Sequence, residues 1–563
     1  MLTTIIQANT YQDSVTLMVL SNHVSSLEGI NKVSIMMGTP ANLDIFKSTG
    51  FYTEELEAAT PQDMCIVVDA ETDQTEPLLK AIHDFLNNQT KQAGADKTEV
   101  RSWKAALEEL PGANLALLSI PGQYVEYETR KALNQGLNVH IFSDNVPVEV
   151  ERELKQLADD KGLLVMGPDC GTASLAGIPL AFTNVVREGR VGIVGASGTG
   201  IQEVATLIDR LGGGVSHAIG TGGRDLSTEI GGISMKAGIR ALAEDVTTDT
   251  IVVISKPPAK EVREEIEQLL QQVNKPVVAF FVGEHGLAPV NHVVYADTSE
   301  EAALLALGKS TQERHRTDVT SNGASRIIGL FSGGTLAAET ADLMGLSFGV
   351  EADREHRDGF SFDYDGNVVI DLGDDVYTQG KPHPMIDPST RIDFINRYCD
   401  TDDSIVLLLD NVLGYGSHEN MAGALLPTLT ELQATRPNVE VIVNVCGTEQ
   451  DPQRYSAQKQ LFEAAGILVA ESNVAAVEYA LRMIGKEVPQ FKQKTVPSVE
   501  PSTHKIESSE AIQQLLRAPK VVNLGLRSFA DAVISEGGHS VQYNWQPTAG
   551  GKPHLQRLLA LMS

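Results

Sequence analysis

Two stretches of the chain end an apolar run in a turn of small residues: GIVGASGTG at 192–200 and GLFSGGT at 329–335. In each, a threonine stands where a helix can begin (Thr199, Thr335), and a glutamate follows four residues later (Glu203, Glu339). The first turn of a helix leaves backbone N–H groups without partners and carries a partial positive charge. Small residues let an anion approach those groups closely, so each turn can cradle a phosphate. Ser197, Gly198 and Thr199 in the first turn, and Gly333, Gly334 and Thr335 in the second, are the candidate binding residues. Either turn alone reads as a tight connection with a Thr cap. The repetition points to one anion held between two helix starts.

A third loop, GTGGRDLSTEIGG at 220–232, follows the strand-like VSHAIG. That places Gly222, Gly223 and Arg224 at the carboxyl edge of a sheet, where ligands collect. An arginine there can donate two hydrogen bonds to a phosphate or carboxylate. Lys256, in VVISKPPA, follows another strand and supplies a second cation. In GKPHPMIDPSTR, 380–391, Lys381, His383 and Arg391 flank Asp387–Pro388, a helix start with Asp as cap. Arg391 is expected to pair back to Asp387 four residues earlier, and His383 is a candidate ligand. Asp410 and His418, in DNVLGYGSHEN, are candidate acid–base groups, although a strand-end Asp often serves as a cap. Cys446 is expected as a core thiol and Trp545 as an internal anchor.

The elements that must position these residues form an α/β fold with tandem doubly wound parallel sheets, Rossmann-like and flavodoxin-like, after a small N-terminal α/β domain. A chain of 563 residues exceeds one core and predicts roughly three to five domains. Residues 1–100 alternate TTIIQA, KVSIMMG and MCIVVDA strands with two amphipathic helices, a ferredoxin-like pattern. Residues 110–185 read as a Rossmann-like domain of the CoA-binding type, 186–310 and 325–488 as two flavodoxin-like domains, and 518–563 as a separate strand–helix–strand unit. The polar stretches 89–100, 309–325 and 488–504 read as linkers.

Acidic residues outnumber basic ones 74 to 44, for a net charge of −30. This excludes nucleic acid as a partner, so an anion must be gathered by local N–H groups and a few cations. No run is long and apolar enough to span a membrane, and the N-terminus lacks a signal-peptide pattern. The four cysteines are far apart with no CxxC. Neither a zinc site nor a disulfide framework is expected, and no metal; the pattern fits a reducing, cytoplasmic setting.

MGPDCGT (166–172), GIVGASGTG and GTGGRD follow the order of motifs in the α-subunit of the ADP-forming acyl-CoA synthetase superfamily, of which succinyl-CoA synthetase is the type. IGLFSGGTLAAETADLMG resembles the matching strand and helix of its β-subunit. The resemblance implies that one chain carries both helices, which in that superfamily point at one phosphohistidine. Two departures stand out. The GHAGAI loop that bears the histidine is replaced by GEHGLAPVNHVVYADTS, where His285 reads as a solvated loop residue. Lys256 stands where the synthetases carry the glutamate that supports that histidine. The Gly-rich CoA turn is also missing.

The chain resembles the FdrA family over essentially its full length, through blocks such as MMGTPAN, SDNVPVE, HAIGTGGRDLS, SGGTLAAE, DLGDD, GKPHPMIDP, LRSFA and PTAGG. That resemblance implies a subunit of an oxamate carbamoyltransferase in allantoin degradation, converting oxalurate and phosphate to oxamate and carbamoyl phosphate. It implies small anionic substrates, co-encoded protein partners and an oligomer, with no cofactor assigned. Lys256, Arg224 and His383 become the expected catalytic residues, with Ser197, Gly198, Thr199, Gly222, Gly223, Gly333, Gly334 and Thr335 binding phosphate. An acid–thiol ligase using CoA and ATP is the first alternative. A non-catalytic scaffold that binds a phosphorylated metabolite is the second.

Overall fold

The computed structural model describes residues 2–547 apart from 9, 11, 13, 26, 28, 71–73, 93–99, 311–313, 315, 322, 353–356, 379–380, 498 and 500–505. Strands β1 (Leu2–Gln7), β2 (Ile30–Met37) and β3 (Met64–Ala70) lie in the order 1-3-2, with both outer strands antiparallel to β3. Leu17, Leu20 and Val24 of one helix and Leu78 and Ile82 of the other cover one face. This is the split βαβ arrangement of a ferredoxin-like unit. A further helix, Pro40–Ser48, has Pro at its first turn and the Thr39 hydroxyl as its cap. Most of the stretch read as the 89–100 linker lies outside the described residues.

Strands β4 (Leu115–Leu118), β5 (Asn138–Ile141) and β6 (Val165–Met166) begin a parallel sheet that the middle of the chain does not finish. Instead β7 (Thr172–Leu175) and β8 (Ile178–Ala181) form a hairpin on the edge of the next sheet. That sheet continues with β9 (Glu188–Gly195), β10 (Val215–Gly220), β11 (Thr250–Ser255), β12 (Val277–Phe281) and β13 (Val293–Ala296), in the order 13-12-11-9-10-7-8. The third sheet holds β14 (Arg326–Phe331), β15 (Phe360–Tyr364), β16 (Asn367–Asp371), β17 (Ile405–Val412), β18 (Val439–Cys446) and β19 (Leu468–Ala470), in the order 15-16-14-17-18-19. Counted within each domain, the parallel strands of both sheets run 2-1-3-4-5, the flavodoxin-like order. Their apolar runs are buried on both faces, as in IVLLLDNV of β17.

Strands β20 (Lys520–Leu524) and β21 (His539–Tyr543) then pair in parallel beside β4 and give the order 21-20-4-5-6. Counted as 3-2-1-4-5, this is the Rossmann order. The C-terminal segment is therefore the second half of the Rossmann-like domain, and the hairpin at 172–181 belongs to its neighbour. Strands that pair residues as distant in the chain as Leu115 and Val521 cannot be linked by periodicity alone. The stretches read as linkers are also partly packed. Arg316 sits between Glu300 and Glu478, and Lys494 holds Asp297 at 2.5 Å.

The two flavodoxin-like domains pack through four helices: Gly198–Arg210 and Ser299–Ala306 from the first, Gly334–Phe348 and Asn473–Met483 from the second. Here the repeated glutamates find their use. Glu203 accepts the Asn473 N–H at 3.0 Å, and Glu339 accepts the Ser299 N–H at 2.7 Å. Each carboxylate thus caps the last helix of the opposite domain, where the helix dipole favours it. Asn473 Nδ2 and the Ser299 hydroxyl also donate to Glu339.

Candidate functional site

The carboxyl ends of β9 and β14 deliver the two small-residue turns to one place. Ser197 Oγ lies 2.5 Å from Thr335 Oγ1, and the Thr335 N–H donates to Thr199 Oγ1 at 3.2 Å. A Cβ on Gly333 would stand 3.0 Å from the Thr199 methyl, and one on Gly200 would stand 3.2 Å from that of Thr335. The helix starts therefore face each other in contact, with interlocked hydroxyls between them. Ser197 caps its own helix by accepting the Gly200 N–H at 3.1 Å. Gly198, Thr199 and Gly334 are the first residues of their helices and are only half-buried, so their N–H groups have no carbonyl partner one turn back in the helix. An anion gathered by those donors would sit beside the hydroxyl pair.

Lys256 follows β11, which pairs with β9, and is exposed. Its ammonium has no ion-pair partner among the described residues. It lies close enough to Asp371 to stabilise that carboxylate. Arg224 is different. Its Nη2 donates to the Val146 carbonyl and pairs with Glu151, both at 2.9 Å. Glu151 is in turn held by Lys155, which reaches Asp225 at 2.7 Å and the Thr221 carbonyl at 2.9 Å. This buried network fastens the 220–225 loop to the Rossmann-like domain. Arg224 thus spends its Nη2 on positioning the loop, while its side chain stays 40% exposed. Gly222, at φ +86°, packs on the Pro168 carbonyl, and Gly223 stands near Asp169. These two glycines shape the loop and do not join the helix junction.

His383 lies over Gly373, where a Cβ would come within 2.8 Å of Nε2. Its Nδ1 accepts the Met385 N–H at 3.2 Å. Burial and the Arg391 charge hold the ring's pKa down to about 4, so the neutral imidazole carries its proton on Nε2. Arg391 does not pair with Asp387. It is fully buried and holds Asp410 at 3.1 Å. Asp410 accepts the N–H groups of Ser332 and Gly333, each at 2.8 Å, and shapes the second turn instead of acting as an acid or base. Asp387 takes the Ser389 N–H at 2.9 Å, with Pro388 in the cap position. His418 Nδ1 accepts the Asn420 N–H within its own loop. His285 is no solvated loop residue: it pairs with Asp342 and stacks on Phe491 at 5.0 Å. The expectations for Cys446 and Trp545 agree with the structure, where both are buried and Trp545 donates to Glu128.

Sequence reasoning passed over Asp371, the first residue of the DLGDD block. A Cβ on Gly334 would lie 2.5 Å from its Oδ2, so the carboxyl rests against the second helix start. Its Oδ1 accepts the Gly373 N–H at 2.9 Å. Loss of hydration, with Asp374 and Asp410 adding to it, pushes its pKa up to about 7 against the pull of the Gly373 N–H and Lys256. The signal was available in register. Asp371 pairs with Phe331 as Gly220 pairs with Gly195, so the two are equivalent strand ends. Nearby, Asp169 is raised to about 6 by lost hydration, Asp144 and Asp375, against Arg224.

Three family models match the chain. Residues 1–102 match "AllF, heavy metal-associated domain", 186–283 match "CoA binding domain" and 330–483 match "CoA-ligase". The CoA-binding match thus falls on the first flavodoxin-like domain, not on 110–185. The Escherichia coli K12 protein YahF is 38% identical over 495 residues, covering 83% of this chain and 96% of that protein. The Aquifex aeolicus succinate–CoA ligase [ADP-forming] subunit alpha is 27% identical over 186 residues, 32% of this chain and 59% of that one. A Korarchaeum cryptofilum dinucleotide-forming acetyl-coenzyme A synthetase is 15% identical, covering 67% of this chain and 84% of that one at a TM-score of 0.30.

Among the described residues no ligand set answers to the heavy-metal model. Residues 1–102 contain one cysteine, Cys65, buried with its thiol pushed up to about 12. No three His, Cys, Asp or Glu among the described residues are grouped to hold a metal. In the Rossmann-like sheet the turn after β4 is Ser119–Ile120–Pro121–Gly122, without a Gly-rich run of free N–H groups. Its Ser119 hydroxyl accepts the Leu526 N–H at 2.8 Å across the strand-order switch point. No helix among the described residues is long and apolar enough to cross a membrane.

Proposed function

We propose that this chain, which belongs to the FdrA family of succinyl-CoA-synthetase-like proteins, is a subunit of an oxamate carbamoyltransferase that exchanges a carbamoyl group between oxalurate and phosphate. The observation that supports this reading best is the meeting of two helix starts, with the N–H groups of Gly198, Thr199 and Gly334 without helical carbonyl partners beside the exposed Lys256. These groups hold the phosphate and orient one of its oxygens toward the carbamoyl carbon. Attack gives a tetrahedral species with a negative oxygen. The Nε2–H of His383 donates to that oxygen, and a neutral donor of fixed tautomer suits the task. No covalent enzyme intermediate is required, and the acidic rim at Asp144, Asp169 and Asp375 leaves the helix starts as the favourable place for an anion.

The chain, alone and with its co-encoded proteins, is incubated with oxalurate and phosphate, and carbamoyl phosphate is followed by phosphorus NMR. The expected result is carbamoyl phosphate and oxamate in equal amounts. Failure in every combination would sink this reading. A second reading, an ADP-forming acid–thiol ligase, is favoured by the CoA-ligase match at 330–483. It predicts acid-labile labelling from radiolabelled ATP and acyl-CoA formation, which the first reading does not.

A further inference from the structure

The two flavodoxin-like domains put equivalent loops at the cleft with opposite chemistry. In the first, Gly220 ends β10 and no side chain fits, since a Cβ there would stand 2.2 Å from the Thr172 carbonyl. In the second, the equivalent Asp371 extends a carboxyl into the space beside Gly334. Gly334 has no side chain to keep that carboxyl away, and neither does Gly373, where a Cβ would meet Asp371 Oδ1 at 3.1 Å and His383 Nε2 at 2.8 Å. Asp371 and His383 therefore approach one point from two sides, over a glycine whose missing side chain lets both groups and the Ser332 carbonyl crowd together. Asp371 has no arginine or lysine in direct contact among the described residues, unlike Asp410, which Arg391 holds. A half-buried carboxyl without a direct counter-ion, at a helix start and beside an imidazole N–H, is placed to carry a proton.

We infer that Asp371 is a catalytic residue, the general acid that protonates the departing amide nitrogen. This rests on the carbamoyl-transfer reading. Oxalurate presents a carbamoyl carbon bonded to the nitrogen of oxamate, and an amide anion is too basic to leave unprotonated. In the step, an oxygen of hydrogen phosphate forms a bond to the carbamoyl carbon. The bond from that carbon to the oxamate nitrogen breaks, and the nitrogen keeps the electron pair. The Asp371 carboxyl gives its proton to that nitrogen and regains one from the phosphate hydroxyl. The products are carbamoyl phosphate and oxamate, with no proton gained or lost overall. The raised pKa, about 7, keeps a useful fraction of Asp371 protonated near neutrality.

The test is the pH profile of oxalurate phosphorolysis by the unmodified chain with its co-encoded proteins, run beside Asp371→Asn and Asp371→Glu. The unmodified protein should show kcat falling tenfold per pH unit above an apparent pKa near 7. Asp371→Asn should lose about 100-fold or more in kcat with little change in the KM for phosphate, and Asp371→Glu should recover part of it. A kcat that stays flat from pH 6 to 9, or an Asp371→Asn variant within about threefold of the parent, overturns the inference while leaving carbamoyl transfer standing. Absence of carbamoyl phosphate at every pH would remove both. Should Asp371→Asn fail to fold, the profile of the unmodified protein still decides.

Discussion

The two flavodoxin-like domains share strand order, turn and glutamate, yet they solve the same local problem with different atoms. At the end of the first strand of each, one backbone N–H needs an acceptor. In the first domain the Ala196 N–H goes to the Ile254 carbonyl at 2.9 Å. In the second the Ser332 N–H goes to the buried carboxylate of Asp410, which Arg391 neutralises. The first helix is capped by its own Ser197 hydroxyl. The second has Gly333 at the cap, no side-chain cap and an acid, Asp371, at its flank. At the helix junction, the first strand end is apolar and its helix self-capped, while the second is flanked by the buried Asp410–Arg391 pair and by Asp371, whose carboxyl is pushed up to about 7. The two domains share a frame, and a few strand-end residues set them apart.

The contrast can be broken most severely at Asp410. Asp410→Ala leaves a fully buried Arg391 unpaired and two N–H groups without an acceptor, and should cost about 3–5 kcal/mol in denaturant unfolding. Trimming the equivalent apolar residue, Ile254→Ala, should cost less, about 2–4 kcal/mol, through a cavity alone. If the two were equal, the charged turn would carry no special burden.

A second comparison concerns the helix starts. Gly334→Ala presses a methyl onto Asp371, so phosphorolysis should fall by about 100-fold, as a misplaced reacting group predicts. Gly198→Ala meets Thr172 at 3.4 Å and touches no reacting carboxyl, so it should lose less, about tenfold through the KM for phosphate. Equal losses would erase the asymmetry. Lys256→Ala should raise the KM for phosphate about tenfold and leave stability within about 0.5 kcal/mol, since the side chain is exposed and unpaired among the described residues.

The smallest effect concerns the crosswise carboxylates. Burial raises Glu339 to about 7 against the pull of Asn473 and Ser299, with Glu203 adding to the rise. Between pH 4.5 and 7 the folded state therefore holds a proton that the unfolded chain has released. Stability falls as pH rises through that window and levels off above it. Glu339→Gln should flatten this slope in thermal unfolding. An unchanged slope would show that the proton resides elsewhere.

Much of this architecture was legible because helices and strands announce themselves by period. The paired turns, with Thr199 matched to Thr335 and Glu203 to Glu339, were visible as spacing, and their convergence is geometry that the spacing permits. What escaped was non-local. Nothing in residues 520–543 says that β20 will lie beside β4, because strand partners leave no periodic trace. Arg224 looked like a free clamp because its partner, Glu151, sits on a distant helix, and Arg391 looked paired to Asp387 because only near neighbours can be read from spacing. Asp371 was overlooked although VVIDLGDD can be laid against HAIGTGGRD. The comparison needed the register of two sheets before a glycine and an aspartate became the same position.

The account depends on an anion settling at the junction of the two helix starts. A crystal structure of the protein soaked with carbamoyl phosphate tests this most directly. The account predicts phosphate oxygens within about 3 Å of the Gly198, Thr199 and Gly334 nitrogens, with the Lys256 ammonium drawn toward them. A junction still sealed by the Ser197 and Thr335 hydroxyls, with the ligand bound elsewhere, would contradict it.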